Sequence, residues 1–109
     1  MDEGASKRFY VGAWVIKGGR ESEFISAWTD LAHWTQEQGK GVGEVRLVQD
    51  LEDPRRFYAI WEWGTEDDVS KWRASTRYKE FIMRMRAFCE VCQPTIGRAV
   101  VTVSPPGRP

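Results

Sequence analysis

Between residues 8 and 17 the chain alternates, with Phe9, Val11, Ala13 and Val15 interleaved with Tyr10, Gly12, Trp14 and Ile16. Apolar groups at both parities predict a strand packed on both faces, and Gly18-Gly19 ends it. A helix is predicted over residues 20–38, because Phe24, Trp28, Leu31 and Ala32 recur at helical spacing. Glu21 and Glu23 suit its positive N-terminal end, and Gly39 suits its C-terminal cap. Gly41 and Gly43 lead into a second strand over 42–51, with Val45 and Leu47 on one face. Asp53-Pro54 marks a turn, since the Asp side chain bonds nearby backbone while Pro holds φ. A third strand, 57–63, sets Phe57, Ala59, Trp61 and Trp63 against Tyr58 and Ile60.

Thr65-Glu66-Asp67-Asp68 then reads as a variant of the helix-starting capping box. The helix behind it carries Val69 and Trp72. A further helical stretch sets Tyr78, Phe81, Ile82, Met85 and Phe88 on one side and stops before Pro94. A last strand is predicted over 96–103, and the Pro-rich segment 104–109 cannot pair regularly. The order β-α-β-β-α-β is the split arrangement of ferredoxin-like α+β folds: a four-stranded antiparallel sheet with helices on one face. The 109 residues form a single domain with a core over about 8–103. Helices on one face leave the other apolar sheet face bare, which for a monomer is an unusually large patch. A second copy packing sheet to sheet covers it, so a homodimer is expected.

Composition changes this picture in one respect. Six Trp, five Phe and three Tyr are a heavy load for the length, and rings of that size go into a core, an interface or a pocket. Sixteen acidic and sixteen basic residues cancel, so no global field attracts nucleic acid or an acidic membrane. No apolar run is long enough for a bilayer span. Met1-Asp2-Glu3-Gly4 has no apolar stretch behind it, so no secretory signal is expected. Two cysteines make no disulfide framework, and the expectation is a cytoplasmic protein with reduced thiols.

Several segments together resemble the antibiotic biosynthesis monooxygenase family. They are Lys17-Gly18-Gly19, then Glu23-Phe24 and Trp28, the run Phe57-Tyr58-Ala59-Ile60-Trp61-Glu62-Trp63, and Trp72-Arg73-Ala74-Ser75. The resemblance spans residues 9–103 and implies a dimeric α+β barrel. It implies either a cofactor-free monooxygenase of quinols or polycyclic phenols, or a haem-degrading enzyme. The pocket Trp of the polyketide-oxidising members matches Trp63, but their Asn falls at Ala59, and their helical Arg corresponds to Arg84 or Arg86. The Trp of the haem-degrading members matches Trp72. Their proximal His falls at Ile82, which cannot ligate iron, and their first-strand Asn falls near Val11 or Gly12.

Cofactor-free oxygenation needs an electron-rich phenol or quinol, a dry aromatic pocket and a base or donor at the phenolic oxygen. Trp28, Tyr58, Trp63, Trp72 and Tyr78 are the candidate substrate-binding rings, with core and interface packing as the alternative reading of each. His33 is the only histidine and so a candidate base, or else a surface residue of its helix. Arg84 is the second catalytic candidate: Arg84 or Arg86 holds a phenolate, or both are solvated. Cys89-Glu90-Val91-Cys92 is expected at a helix end, where the dipole works against a reactive thiol. Gly39-Lys40-Gly41-Val42-Gly43 lacks the spacing of a phosphate loop. The leading expectation is a homodimeric oxidoreductase using dioxygen on an aromatic phenol or quinol, with no metal or organic cofactor. The alternatives are a non-catalytic small-molecule-binding or accessory protein, and an atypical haem binder with His33 as its imidazole.

Overall fold

The computed structural model describes residues 7–107; the Met1-Asp2-Glu3-Gly4 stretch and the last two residues of the tail lie outside them. Among the described residues the order is β1 (Arg8–Ile16), α1 (Glu21–Gln38), β2 (Val42–Gln49), β3 (Arg56–Trp63), α2 (Glu66–Ala74), α3 (Thr76–Arg86) and β4 (Cys89–Arg98). The strands form one antiparallel sheet in the order β2-β3-β1-β4. This is the ferredoxin-like α+β fold that the element pattern predicts.

Register decides which side chains share a face, because strand side chains alternate strictly. Tyr10 lies opposite Trp61, Gly12 opposite Ala59 and Trp14 opposite Phe57. Those residues face the helices and are buried with Phe24, Trp28 and Leu31 of α1, Val69 and Trp72 of α2, and Tyr78, Phe81 and Met85 of α3. The other parity of the central strands (Phe9, Val11, Ala13, Val15 and Ile60) is half-buried, and Val48, Tyr58 and Val91 beside it are exposed. The bare apolar sheet face anticipated from β1 and β3 is therefore present in the isolated chain.

Local chemistry sets the element ends. Gly39 closes α1 in the left-handed conformation at φ 61°, its N–H reaching the Gln36 carbonyl at 3.1 Å. The loop before β3 is held by Asp50, whose carboxylate accepts from the N–H groups of Glu52 and Asp53, and by Asp53, which accepts from that of Arg55. Thr65 caps α2 by accepting from Asp68 N–H at 3.1 Å. Ser75 both ends α2 and caps α3, accepting from Tyr78 N–H at 3.1 Å. A single residue thus sets the angle at which Trp72 and Tyr78 meet.

The last strand departs from the sequence-based expectation. It runs over Cys89–Arg98, not 96–103, and Ala99 to Val103 lie outside regular structure. Pro94 does not prevent this because β4 is an edge strand, where a missing N–H costs no ladder bond on the open side. Phe88 is not helical either, since α3 ends at Arg86. It follows the helix, with the Arg20 guanidinium 4.8 Å from the centre of its ring. The Cys-x-x-Cys segment consequently opens a strand, not a helix terminus. Cys89 pairs with Ile16 and Val91 with Val15, so Glu90 is the extra residue of a β-bulge. That insertion offsets the odd spacing and turns both Cys89 and Cys92 toward the helix side, where each packs against the core.

Candidate functional site between sheet and helices

Trp72 is the ring about which the interior is organised. Its neighbours are Tyr78 at 4.5 Å, Trp61 at 4.7 Å, Trp63 at 4.9 Å and Tyr10 at 5.5 Å between ring centroids, the last edge to face. These spacings lie in the range where ring quadrupoles attract beyond simple area burial. The Trp72 indole N–H donates to Thr35 Oγ1 at 2.9 Å, and Thr35 donates to the Leu31 carbonyl at 2.8 Å. A polar relay inside an apolar layer therefore fixes the Trp72 ring plane.

Two cavities have this ring in their walls. The first, about 100 Å³, is bounded by the sheet through Tyr10, Gly12, Trp14, Ala59 and Trp61, and by Trp28 and Leu31 of α1. Trp72, Tyr78 and Ile82 close it, and Arg73, Arg86, Cys92 and Pro94 complete the lining. The second, about 360 Å³, lies between the end of α1, Trp63 and α2, with Lys40, Asp68 and Lys71 among its lining groups. Trp72 lines both cavities.

Polar groups at the first cavity are few. The hydroxyls of Tyr10 and Tyr78 meet at 3.3 Å in a buried pair. Burial drives the Tyr78 phenol far above its ordinary ionisation range, and the Tyr10 hydrogen bond acts in the same direction. Burial likewise raises the Cys92 thiol; Cys89 adds to that, while Arg86 opposes it. The Arg73 guanidinium lies 5.0 Å over the Tyr10 ring, a cation–π contact. Trp28 Nε1 is buried with no hydrogen-bond partner among the described residues; Trp63 Nε1, in the wall of the second cavity, is in the same condition.

The residues singled out in the sequence are distributed unevenly. Trp28, Trp72 and Tyr78 meet at the first cavity, while Trp63 meets Trp72 at the second. Tyr58 lies on the opposite face of the sheet and is 38% exposed. Its parity differs from that of Trp61 and Trp63, a signal already present in the alternation of β3. His33 is exposed on α1 and lines neither cavity. Arg84 is held on the surface by Asp30 of α1 at 2.9 Å, and the next arginine along α3, Arg86, reaches the first cavity instead. Tyr10, Trp61, Arg73 and Cys92 were not anticipated as site residues. Parity with Gly12 and Ala59 marks Tyr10 and Trp61, whereas only the docking of α2 and the pairing of Cys92 opposite Trp14 bring Arg73 and Cys92 in.

Comparison with known proteins agrees with this architecture. The sequence profile described as antibiotic biosynthesis monooxygenase matches residues 10–84. No curated protein matches the chain. Among solved structures, SnoaB, a cofactor-independent oxygenase from Streptomyces nogalater, superposes with a TM-score of 0.77 at 17% identity, covering 94% of this chain and 100% of that one. A mutant of the same oxygenase reaches 0.82 at 18% identity over 89% of this chain and 96% of that chain. A conserved protein from Methanosarcina mazei Go1 gives 0.80 at 20% identity, covering 87% and 94% of the two chains. At such identities the structural matches speak for the fold, and the profile match across most of the chain speaks for descent. The chain belongs to the antibiotic biosynthesis monooxygenase family.

Proposed function

We propose that the protein is a cofactor-independent monooxygenase that oxidises an aromatic phenol or quinol with dioxygen in the cavity between sheet and helices. The observation that carries this reading is the wall of Trp28, Trp61, Trp72, Tyr10 and Tyr78 around a space that also meets two guanidinium groups. Aromatic walls hold a flat substrate and exclude water, and the guanidinium groups favour negative charge on its oxygen.

The chemistry closes without an added reductant. The ionised substrate passes one electron to dioxygen, and superoxide recombines with the ring carbon that carries the radical, forming a carbon–oxygen bond. Protonation gives a hydroperoxide. Loss of the C–H proton and cleavage of the O–O bond leave a carbonyl and release water. One oxygen atom is retained, the other leaves as water, and the substrate supplies both electrons. The chain's contribution is to position the ring, stabilise the anion and keep the peroxy intermediate dry.

Two copies related by a two-fold axis, packed through Val11, Ala13, Val15 and Ile60, complete the proposed unit. These residues lie on the sheet face turned away from the helices. A His33-ligated haem does not fit the residues, because the only imidazole lies exposed on α1 and lines neither cavity. Oxygen uptake with a panel of quinols and naphthols in chelator-treated buffer tests the proposal. Consumption above the buffer rate, with one oxygen atom from labelled dioxygen in the product, is the expected result. Saturable quenching of tryptophan fluorescence by the same ligands, without oxygen uptake, would instead identify a binding protein.

A further inference from the structure

Cys92 is the one thiol in the wall of the first cavity, and the oxygenation chemistry leaves it unused. It is free, half-buried and packed against the core, and it lies opposite Trp14 in the register, on the parity that faces the helices. Tyr78 and Arg86 of α3 are near enough for their charges and its own to act on one another. Cys89, three residues earlier, is free as well, but it lines neither cavity and donates its thiol to the Arg86 carbonyl at 3.6 Å. The two thiols of the Cys-x-x-Cys segment therefore have different surroundings.

A second feature of the same wall points to a ligand. Trp28 is 7% exposed, and its indole N–H is buried without a hydrogen-bond partner among the described residues. A buried donor of this kind costs stability until an acceptor reaches it. Trp28 stacks toward Trp61 at 5.2 Å and Trp61 toward Trp72 at 4.7 Å between ring centroids, and all three rings line the cavity. The acceptor that suits such surroundings is a carbonyl oxygen on a flat ring.

We propose that Cys92 is a covalent capture site for quinones held in the first cavity. The inference rests on reading that cavity as the place where a quinol or phenol is oxidised, since the carbonyl product of that step is an electrophile formed beside the thiol. In the capture step the Cys92 sulfur bonds to an unsubstituted ring carbon conjugated to a carbonyl. The ring π pair moves to the carbonyl oxygen, which takes the proton that the thiol gives up. Transfer of the hydrogen on the attacked carbon to the second oxygen restores the aromatic ring. The product is a hydroquinone thioether: the quinone is reduced, the sulfur supplies the electron pair, and no further oxidant or reductant enters. Burial raises the ionisation of the Cys92 thiol and Arg86 opposes that, so selectivity has to come from an electrophile held against it, where proximity replaces collision. Capture fills the cavity and stops turnover on that chain, whereas a quinone that leaves promptly escapes it.

The test treats the whole chain with para-benzoquinone below stoichiometry and locates the adducts by peptide mass spectrometry. A parallel treatment uses iodoacetamide, which has no ring to be held. The quinone is expected to mark Cys92 at least about tenfold faster than Cys89, a preference that iodoacetamide does not share. Excess para-dimethoxybenzene, a flat ring that does not alkylate thiols, should slow capture at Cys92 and leave Cys89 unchanged. Equal marking of the two thiols, the same preference with iodoacetamide, or no protection by the ether would each overturn the proposal. Capture at Cys92 without any quinol oxidation would leave this inference standing and remove the oxygenase reading. Quinol turnover by a protein whose Cys92 stays unmodified in para-benzoquinone would do the reverse.

Discussion

Trp72 of α2 donates its indole N–H to Thr35 of α1 across 2.9 Å, and this one bond ties together two of the three helices that wall the candidate site. Thr35 is buried and passes the bond on to the Leu31 carbonyl, so the relay has no solvent substitute. Trp72 in turn touches four other rings and lines both cavities. The pair therefore links helix packing to the shape of the pocket.

Thr35→Val keeps the shape and removes the acceptor, leaving a buried indole N–H unsatisfied. The expected cost is about 1–3 kcal/mol in urea unfolding, with weaker binding of aromatic ligands because the Trp72 plane is released. Thr35→Ser, which retains the hydroxyl, should recover most of the ligand affinity.

Stability should fall on the alkaline side for an identifiable reason. The Tyr78 phenol has an ordinary value of 10.0 and is raised in the folded chain, chiefly by burial. A raised value favours the protonated form on folding, so its contribution is intact below pH 10.0 and is lost as the pH rises above it. The thiols of Cys89 and Cys92, raised from 9.0, add to the same slope from a slightly lower pH. Thermal melts between neutrality and strongly alkaline pH should show a steady fall that is shallower in Tyr78→Phe. An equal slope in the variant would place the alkaline lability elsewhere.

Gly12 stands where β1 passes beneath the indole of Trp14. A Cβ there would come within 2.9 Å of Trp14 Nε1, and Trp14 is itself buried, so its ring has little room to yield. Gly12→Ala is expected to cost about 1–3 kcal/mol through overpacking. It should also reduce ligand affinity, since both residues line the first cavity. Retained affinity at full stability would show that the ring moves freely.

The bare sheet face makes the most direct prediction about assembly. Val11 and Val15 are half-buried in the isolated chain and lie on the face without helices. Light scattering should give twice the chain mass for the wild type. Val11→Asp combined with Val15→Lys should give a monomer with unchanged helix content, because neither side chain enters the core beneath the helices. A wild-type monomer would remove the sheet-to-sheet dimer from the proposal.

Much of the frame was legible along the chain because it depends on short-range rules. Helix periodicity set out α1, α2 and α3, Gly39 marked a left-handed cap, and Thr65 and the Asp50–Asp53 turn acted through side chains on adjacent backbone. Apolar residues at both parities of β1 foretold the uncovered sheet face. These features are decided within a few residues, where propensity and hydrogen-bonding geometry are local.

The site was decided by distances in space. Whether Arg84 or Arg86 reaches the cavity depends on the rotation of α3, set by Phe81 and Met85 entering the core. The bulge at Glu90 appears only when β4 is laid against β1, and it turns an odd spacing of cysteines onto one face. Tyr58 and Trp61 differ by one parity step, yet β3 was apolar on both sides, so composition alone did not say which face the helices would take. Sequence by itself determined that rings would line an α+β interior and that one sheet face would need covering. Tertiary structure decided which polar groups look inward, since packing of elements far apart in the chain sets helix rotation and strand register.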